Sequence, residues 1–181
     1  MSDKKLRRLA EEHVPAVSAY LRRRLYPLPN QDLDDLIEQT LIAVWRRLED
    51  CPPDAERAWM IGIARNVLSN ARRSASRRAR LNVSLPTPRE VPAAEVLAME
   101  SVSLADAFRS LTPSEREILM LHAWDGLSDV EIGITLGITT KAAESRLGRA
   151  RRHFNDRFQV PRGKTPVVDM SAHRGARGND A

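Results

Sequence analysis

The sequence predicts an all-α protein of two small helical domains joined by an extended linker, the C-terminal one a helix-turn-helix. Three observations predict it. Apolar residues recur at helical spacing through most of the 181 residues. Strand-like alternation is absent, and aromatic residues make up only 4% of the chain. Two capping boxes and a glycine stop punctuate the last third, Thr112-Pro113-Ser114-Glu115, Ser128-Asp129-Val130-Glu131 and Gly137.

The first helix is predicted over Lys4 to Tyr26, with Leu6, Leu9, His13, Val17, Tyr20 and Leu21 on one side and Pro15 bending or restarting it. Pro27 to Asn30 form a turn. The second helix begins at Asp32 and has the most regular stripe in the chain: Leu33, Leu36, Ile37, Thr40, Leu41, Val44 and Leu48. Asp32, Asp34 and Asp35 in its first turn suit the helix dipole. Cys51-Pro52-Pro53-Asp54 ends it. A third helix starts near Ala55, with Met60, Ile63, Ala64, Val67 and Ala71 inward and Asn66, Asn70, Arg73 and Arg77 on the opposite side. From Arg57 to Arg89 there is no Asp or Glu but there are eight Arg, at 57, 65, 72, 73, 77, 78, 80 and 89. A one-sign block that starts on a packed helix predicts a positioned phosphate-binding surface.

Pro86, Pro88 and Pro92 keep the segment from Leu81 onward extended. A helix resumes near Ala93, with Leu97, Leu104, Phe108 and Leu111 as its buried positions. Two capped helices follow, and Ile138 tucks under the Gly137 turn while Thr139 caps the last helix. That helix carries a packed stripe of Ala143, Leu147 and Ala150, and a second face of Lys141, Ser145, Arg149 and Arg152. A short apolar helix braced against a basic one is what major-groove insertion requires. The domains are read as residues 1–80 and 99–159, with a linker over 81–98 and a mobile tail over 160–181.

The formal charge of +5 makes a polyanionic partner plausible. The single Cys51 excludes a disulfide framework and a Cys-based zinc site. No stretch reaches membrane-spanning length and the start has no secretory h-region, so a cytoplasmic protein is expected. Nothing resembles a nucleophile elbow, a phosphate loop or a paired-carboxylate site, so the chain is not read as an enzyme. No cofactor is expected. No metal is expected either, because Asp34, Asp35 and Glu38 lack a His or a third well-placed carboxylate.

Asp32-Leu33-Asp34-Asp35-Leu36-Ile37-Glu38-Gln39-Thr40-Leu41-Ile42-Ala43-Val44-Trp45-Arg46 resembles the core-polymerase-binding region 2 helix of bacterial extracytoplasmic-function (ECF) sigma factors. Arg57-Ala58-Trp59-Met60-Ile61-Gly62-Ile63-Ala64-Arg65-Asn66 resembles their promoter-melting segment. Leu111 to Glu117 and Ser145 to Arg151 resemble region 4. The resemblance spans about Glu12 to Phe158 and implies a chain that binds core RNA polymerase and recognises and opens promoter DNA. An anti-sigma factor is a common family partner.

Residue by residue, the resemblance implies a polymerase-docking flank of Asp35, Glu38, Gln39 and Arg46. The family order at 38 and 39 is usually Gln then Glu, so the contact is altered in detail. The downstream (−10) face would be Asn66, Ser69, Asn70, Arg73 and Arg77, with the loop Cys51 to Glu56 capturing a flipped base. For the upstream (−35) element, base-reading positions fall on Glu144, Ser145, Gly148 and Arg149, and Thr140, Lys141, Arg146, Arg151 and Arg152 would hold phosphates. Glu144 replaces a usual Lys or Arg, and Gly148 a larger side chain. Val130 and Ile134 are apolar where the family is polar and form a candidate partner-facing patch. Trp59 is read as core, with base stacking as the alternative, and Trp45 and Trp124 as packing. The four His have no carboxylate partner at a suggestive sequence spacing. Two other functions stay open: a helix-turn-helix regulator that acts without being a polymerase subunit, and a module whose basic helices bind acidic proteins.

Overall fold

The computed structural model describes residues 2–81 and 102–158. The described residues form seven α-helices: α1 Ser2–Arg23, α2 Asp32–Arg46, α3 Glu56–Leu81, α4 Val102–Arg109, α5 Pro113–Ala123, α6 Asp129–Leu136 and α7 Thr140–Phe158, with a 3₁₀ turn at Leu48–Asp50. The expected linker, the helix start near Ala93, Leu97, Arg89 and the tail lie outside them.

The first helix ends three residues earlier than expected, at Arg23, and runs through Pro15. Pro15 has no N–H for the carbonyl one turn back, yet the flanking turns stay helical. They are anchored by the buried Leu9, Val17, Tyr20 and Leu21. In α2 the predicted stripe is the packed one. Leu36, Thr40 and Val44 are buried, and the Thr40 hydroxyl is satisfied by the Leu36 carbonyl at 2.7 Å. The same stripe continues to Leu48 in the 3₁₀ turn, which Lys5 ties to α1 by donating to the Leu48 carbonyl at 3.0 Å.

The helix-turn-helix forms as its punctuation predicts. Thr112 and Ser128 each accept from the backbone N–H three residues on, and Glu115 and Glu131 each accept the cap residue's own N–H at 2.9 Å. Gly137 sits at φ +67°, and the N–H groups of Ile138 and Gly137 return to the carbonyls of Gly133 and Ile134. This is the paired C-terminal bonding that needs a left-handed residue, which glycine supplies at least cost. Thr139 Oγ1 then accepts the Ala142 N–H at 3.2 Å and starts α7.

The turn is tight. A Cβ added to Gly133 would stand 2.9 Å from the Ile138 carbonyl oxygen, a backbone atom that cannot swing aside. Gly133→Ala would gain about 1 kcal/mol of helix propensity. It is still expected to destabilise, by about 1–3 kcal/mol, because overpacking forces the backbone apart. A thermal melt that moves upward would contradict this.

The core crosses the boundary between the two halves. One cluster joins Leu9, Leu36, Met60 and Ala64 to Ile118, Leu121, Leu127, Ile132, Ala143 and Leu147. A smaller one gathers Ala105, Phe108, Leu111 and Met120, with Trp124 edge-on to Phe108 at 5.6 Å between ring centroids. Helix α3 explains the continuity. It packs on α1 and α2 and also on α6, so Ala58, Trp59, Met60, Ile61, Ile63, Ala64 and Leu68 are all buried. Helix α3 therefore buries more of its circumference than the predicted single inward face.

Candidate nucleic-acid and protein interfaces

Helix α7 packs on both α5 and α6, and its Ala143, Leu147 and Ala150 are all fully or nearly fully buried. That packing turns the remaining positions outward. Lys141, Glu144, Ser145, Arg146, Arg149, Arg151 and Arg152 are exposed, and Thr140 and Gly148 are partly so. Arg151 is held in place: it approaches His122 Nε2 at 2.6 Å, and His122 Nδ1 lies 3.2 Å from the Leu127 carbonyl. Gly148 leaves open space, since a Cβ there would meet only the flexible end of Arg152 at 3.7 Å.

On α3, Asn66, Ser69, Asn70, Arg73 and Arg77 are exposed, and Arg73 donates to Asn70 Oδ1 at 2.5 Å. The arginine block as a whole is divided, which corrects the reading of one continuous phosphate surface. Arg57 and Arg65 bind Glu131 and Glu117 at 3.1 and 2.7 Å, and Arg72 donates to the carbonyls of Arg24 and Tyr26. The physical reason is that α3 packs on two sides: Arg57 and Arg65 meet acids of α6 and α5, and Arg72 meets the carbonyls of the turn that follows α1.

The loop before α3 is strapped to α1. Arg8 donates to both Glu56 oxygens at 2.8 and 2.5 Å and to Glu12 at 2.9 Å. His13 Nε2 lies 3.4 Å from Glu56. Arg8, with help from His13, holds the Glu56 carboxyl below the usual carboxylate range. Glu12, His13 and Glu56 are close enough for their ligand atoms to share one ion. Arg8, however, already places a cation between the two carboxylates. Cys51 is buried at the start of the loop, and burial pushes its thiol up, away from a reactive thiolate. His153 likewise finds Glu115 at 2.5 Å. Sequence spacing shows neither His pairing, because the partners are about forty residues apart.

On α2, Asp35, Glu38, Gln39 and Arg46 share an exposed flank. Two further residues belong to it. Trp45 is 54% exposed and Ile42 41% exposed. Trp45 is therefore not a packing residue, which corrects the sequence reading. It follows the buried Val44 by one residue, and the helical turn carries it to the side of Glu38 and Ile42. The signal was available as the spacing 38, 42, 45. Trp59, 8% exposed, is core as read, and Trp124 packs on Phe108. Val130, 54% exposed, and Ile134 line a shallow groove with Gly133, Ile138, Thr139, Thr140 and Ala142. No helix among the described residues is long and apolar enough to cross a membrane.

The two halves of the chain each match a known family region. Residues 9–78 match Sigma-70 region 2, and residues 101–154 match Sigma-70, region 4. The chain is 33% identical over 141 residues to the RNA polymerase sigma factor NccH of Alcaligenes xylosoxydans xylosoxydans, covering 71% of this chain and 74% of that one. It is 29% identical over 152 residues to the ECF RNA polymerase sigma factor SigL of Mycobacterium tuberculosis, covering 81% and 85%. The solved structure of CnrH in complex with the cytosolic domain of CnrY is 28% identical, with a TM-score of 0.55 over 83% of this chain and 85% of that chain.

Proposed function

The chain belongs to the ECF sigma factors of RNA polymerase, and on that premise we propose how its surfaces divide the work. As a member it associates with core polymerase and directs promoter-specific initiation. It is not an enzyme, and bond formation belongs to the polymerase. The proposed docking flank on core is Asp35, Glu38, Gln39 and Arg46, with Ile42 and Trp45 as its apolar part. An exposed aromatic ringed by polar side chains is a common source of binding energy at protein interfaces.

Promoter reading is assigned to two helices. On α7, Arg149, Glu144, Ser145 and Gly148 face base edges, while Thr140, Lys141, Arg146, Arg151 and Arg152 hold phosphates. On α3, Asn66, Ser69, Asn70, Arg73 and Arg77 follow the unpaired strand, and the strapped loop Cys51 to Glu56 receives a base. The domain limits 1–80 and 99–159, a cytoplasmic location and an anti-sigma partner belong to the same reading. Support for the last comes from a related chain solved with a second protein's cytosolic domain.

The observation that carries the reading is the presence, on one chain, of an exposed acidic and apolar flank on α2 and an exposed basic face on α7. Run-off transcription with purified core polymerase on a promoter library tests it. The expected result is transcripts from a defined subset of templates. No polymerase association and no template preference would sink it. Within that assay, Arg73→Ala with Arg77→Ala is expected to reduce open-complex formation more than polymerase binding. Equal losses in both would remove these residues from the melting face.

A further inference from the structure

We propose that His122 is a positioning residue for promoter binding: its neutral form, with the proton on Nδ1, holds the Arg151 guanidinium ready for the DNA backbone. The DNA role rests on the assignment of Arg151 to a phosphate, and the tie itself stands on its own geometry.

The protonation state follows from the two partners. A guanidinium has donors only, and a backbone carbonyl only accepts. Arg151 Nη2 lies 2.6 Å from His122 Nε2, so that nitrogen is the acceptor. His122 Nδ1 lies 3.2 Å from the Leu127 carbonyl oxygen, so that nitrogen carries the hydrogen. One tautomer of the neutral ring meets both demands. The other sets lone pair against lone pair at Leu127 and N–H against N–H at Arg151, and the imidazolium sets an N–H against the guanidinium.

Both ends of this chain of bonds are anchored. Leu127 is 1% exposed, and its N–H donates to the Leu121 carbonyl at 3.0 Å across a turn that Gly126 makes at φ +65°. On α7, Leu147 and Ala150 are buried, which fixes the backbone that carries Arg151. His122 stands half-buried between them on the last turn of α5. By accepting from Nδ1–H, the Leu127 carbonyl makes Nε2 a better acceptor, since linked hydrogen bonds polarise one another.

The tie serves DNA binding through entropy. An arginine side chain has several rotatable bonds, and fixing them when a partner arrives weakens association. Arg151 is exposed, and the N–H groups not given to His122 remain for phosphate oxygens. Lys141, Arg146, Arg149 and Arg152 have no such partner among the described residues. Arg151 is therefore the prearranged cation of the α7 face.

Two measurements decide it. Long-range proton–nitrogen NMR correlations on the full chain, at about pH 8, report which His122 ring nitrogen carries the proton. The His122 signals are assigned by their loss in His122→Gln. The Nδ1–H form is expected, and the Nε2–H form or the imidazolium overturns the tie. Duplex binding by the chain assembled with core polymerase then measures the use of the tie. His122→Ala is expected to weaken preferred and unrelated duplexes alike by about three- to tenfold, the cost of fixing one long side chain. In an Arg151→Ala background the same substitution should change affinity by less than about twofold. His122→Gln brings an amide oxygen to the place of Nε2 and should recover most of the loss. His122→Asn keeps a donor for the Leu127 carbonyl but does not reach Arg151, so it should stay as weak as Ala. Thermal melts of each variant separate lost positioning from lost fold. An unaltered affinity in His122→Ala, or a loss of equal size with and without Arg151, overturns the positioning role. If Arg151→Ala alone leaves binding unchanged, the phosphate assignment fails and the DNA role with it, while the NMR result still decides the tie.

Discussion

Asp125→Ala is expected to lower the stability of the chain by about 3–5 kcal/mol, the cost of leaving a buried charge without its partner. The Asp125 side chain is only 1% exposed, and that of Arg24 only 8%. Arg24 lies over the Tyr20 ring at 4.1 Å, and Tyr20 is itself deep in the core, where burial pushes its hydroxyl up to about 12. With the carboxylate gone, the Arg24 guanidinium keeps the ring and the Tyr20 carbonyl at 3.4 Å, but no counter-charge in contact. Only a small part of it is open to water while the halves stay together. The chain has one inexpensive escape, which is to part the halves and hydrate Arg23 and Arg24. The measured loss is therefore the smaller of two quantities, the buried-charge penalty and the free energy that holds the two halves on their shared core. Denaturant unfolding distinguishes them: a single transition shifted by the full penalty means the halves stay packed, and two separated transitions mean they have parted. Asp125→Asn keeps the shape and one acceptor and is expected to fall between parent and Ala. A change in stability below about 0.5 kcal/mol, the level of an ordinary surface substitution, would refute the role given to this carboxylate.

What could be read in the sequence was what local chemistry controls. The second helix is unambiguous because one face packs and the other does not, so its apolar period survives for four turns. The two capping boxes and Gly137 are short-range devices whose partners lie within a few residues, and each forms as written. The partnerships missed are all long-range. Arg57, Arg65 and Arg72 look like phosphate ligands in a block without acids, because their counter-charges and carbonyls lie 46 to 74 residues away. His13 and His153 look isolated for the same reason. Helix α3 hides its second contact face, since a helix packed on two sides loses the clean stripe that marks one-sided burial. Trp45 is exposed although a tryptophan is usually a packing residue, and only its place one step beyond the buried Val44 reveals this. The same blindness explains why two domains were visible but their shared core was not.

Arg149→Ala is expected to weaken binding to the preferred upstream sequence by about 1–3 kcal/mol, a loss of roughly five- to 150-fold, and to relax the preference at one base position. The argument is geometric. Arg149 follows Ser145 by one helical turn on the exposed side of α7, while the buried Leu147 and Ala150 fix that side against the rest of the fold. A planar fork held there by a rigid helix can donate twice to a guanine edge, a pattern no other base pair presents in the same place. Arg152→Ala serves as the contrast. As a phosphate contact it should weaken all sequences alike and reduce the dependence of log affinity on log salt by about one unit. The measurement is a binding isotherm for each variant against the preferred duplex, single-base variants of it and an unrelated duplex, at two salt concentrations. If Arg149→Ala instead lowers every affinity equally and flattens the salt dependence, Arg149 is one more backbone contact, and sequence choice must rest on Glu144, Ser145 and the room left at Gly148.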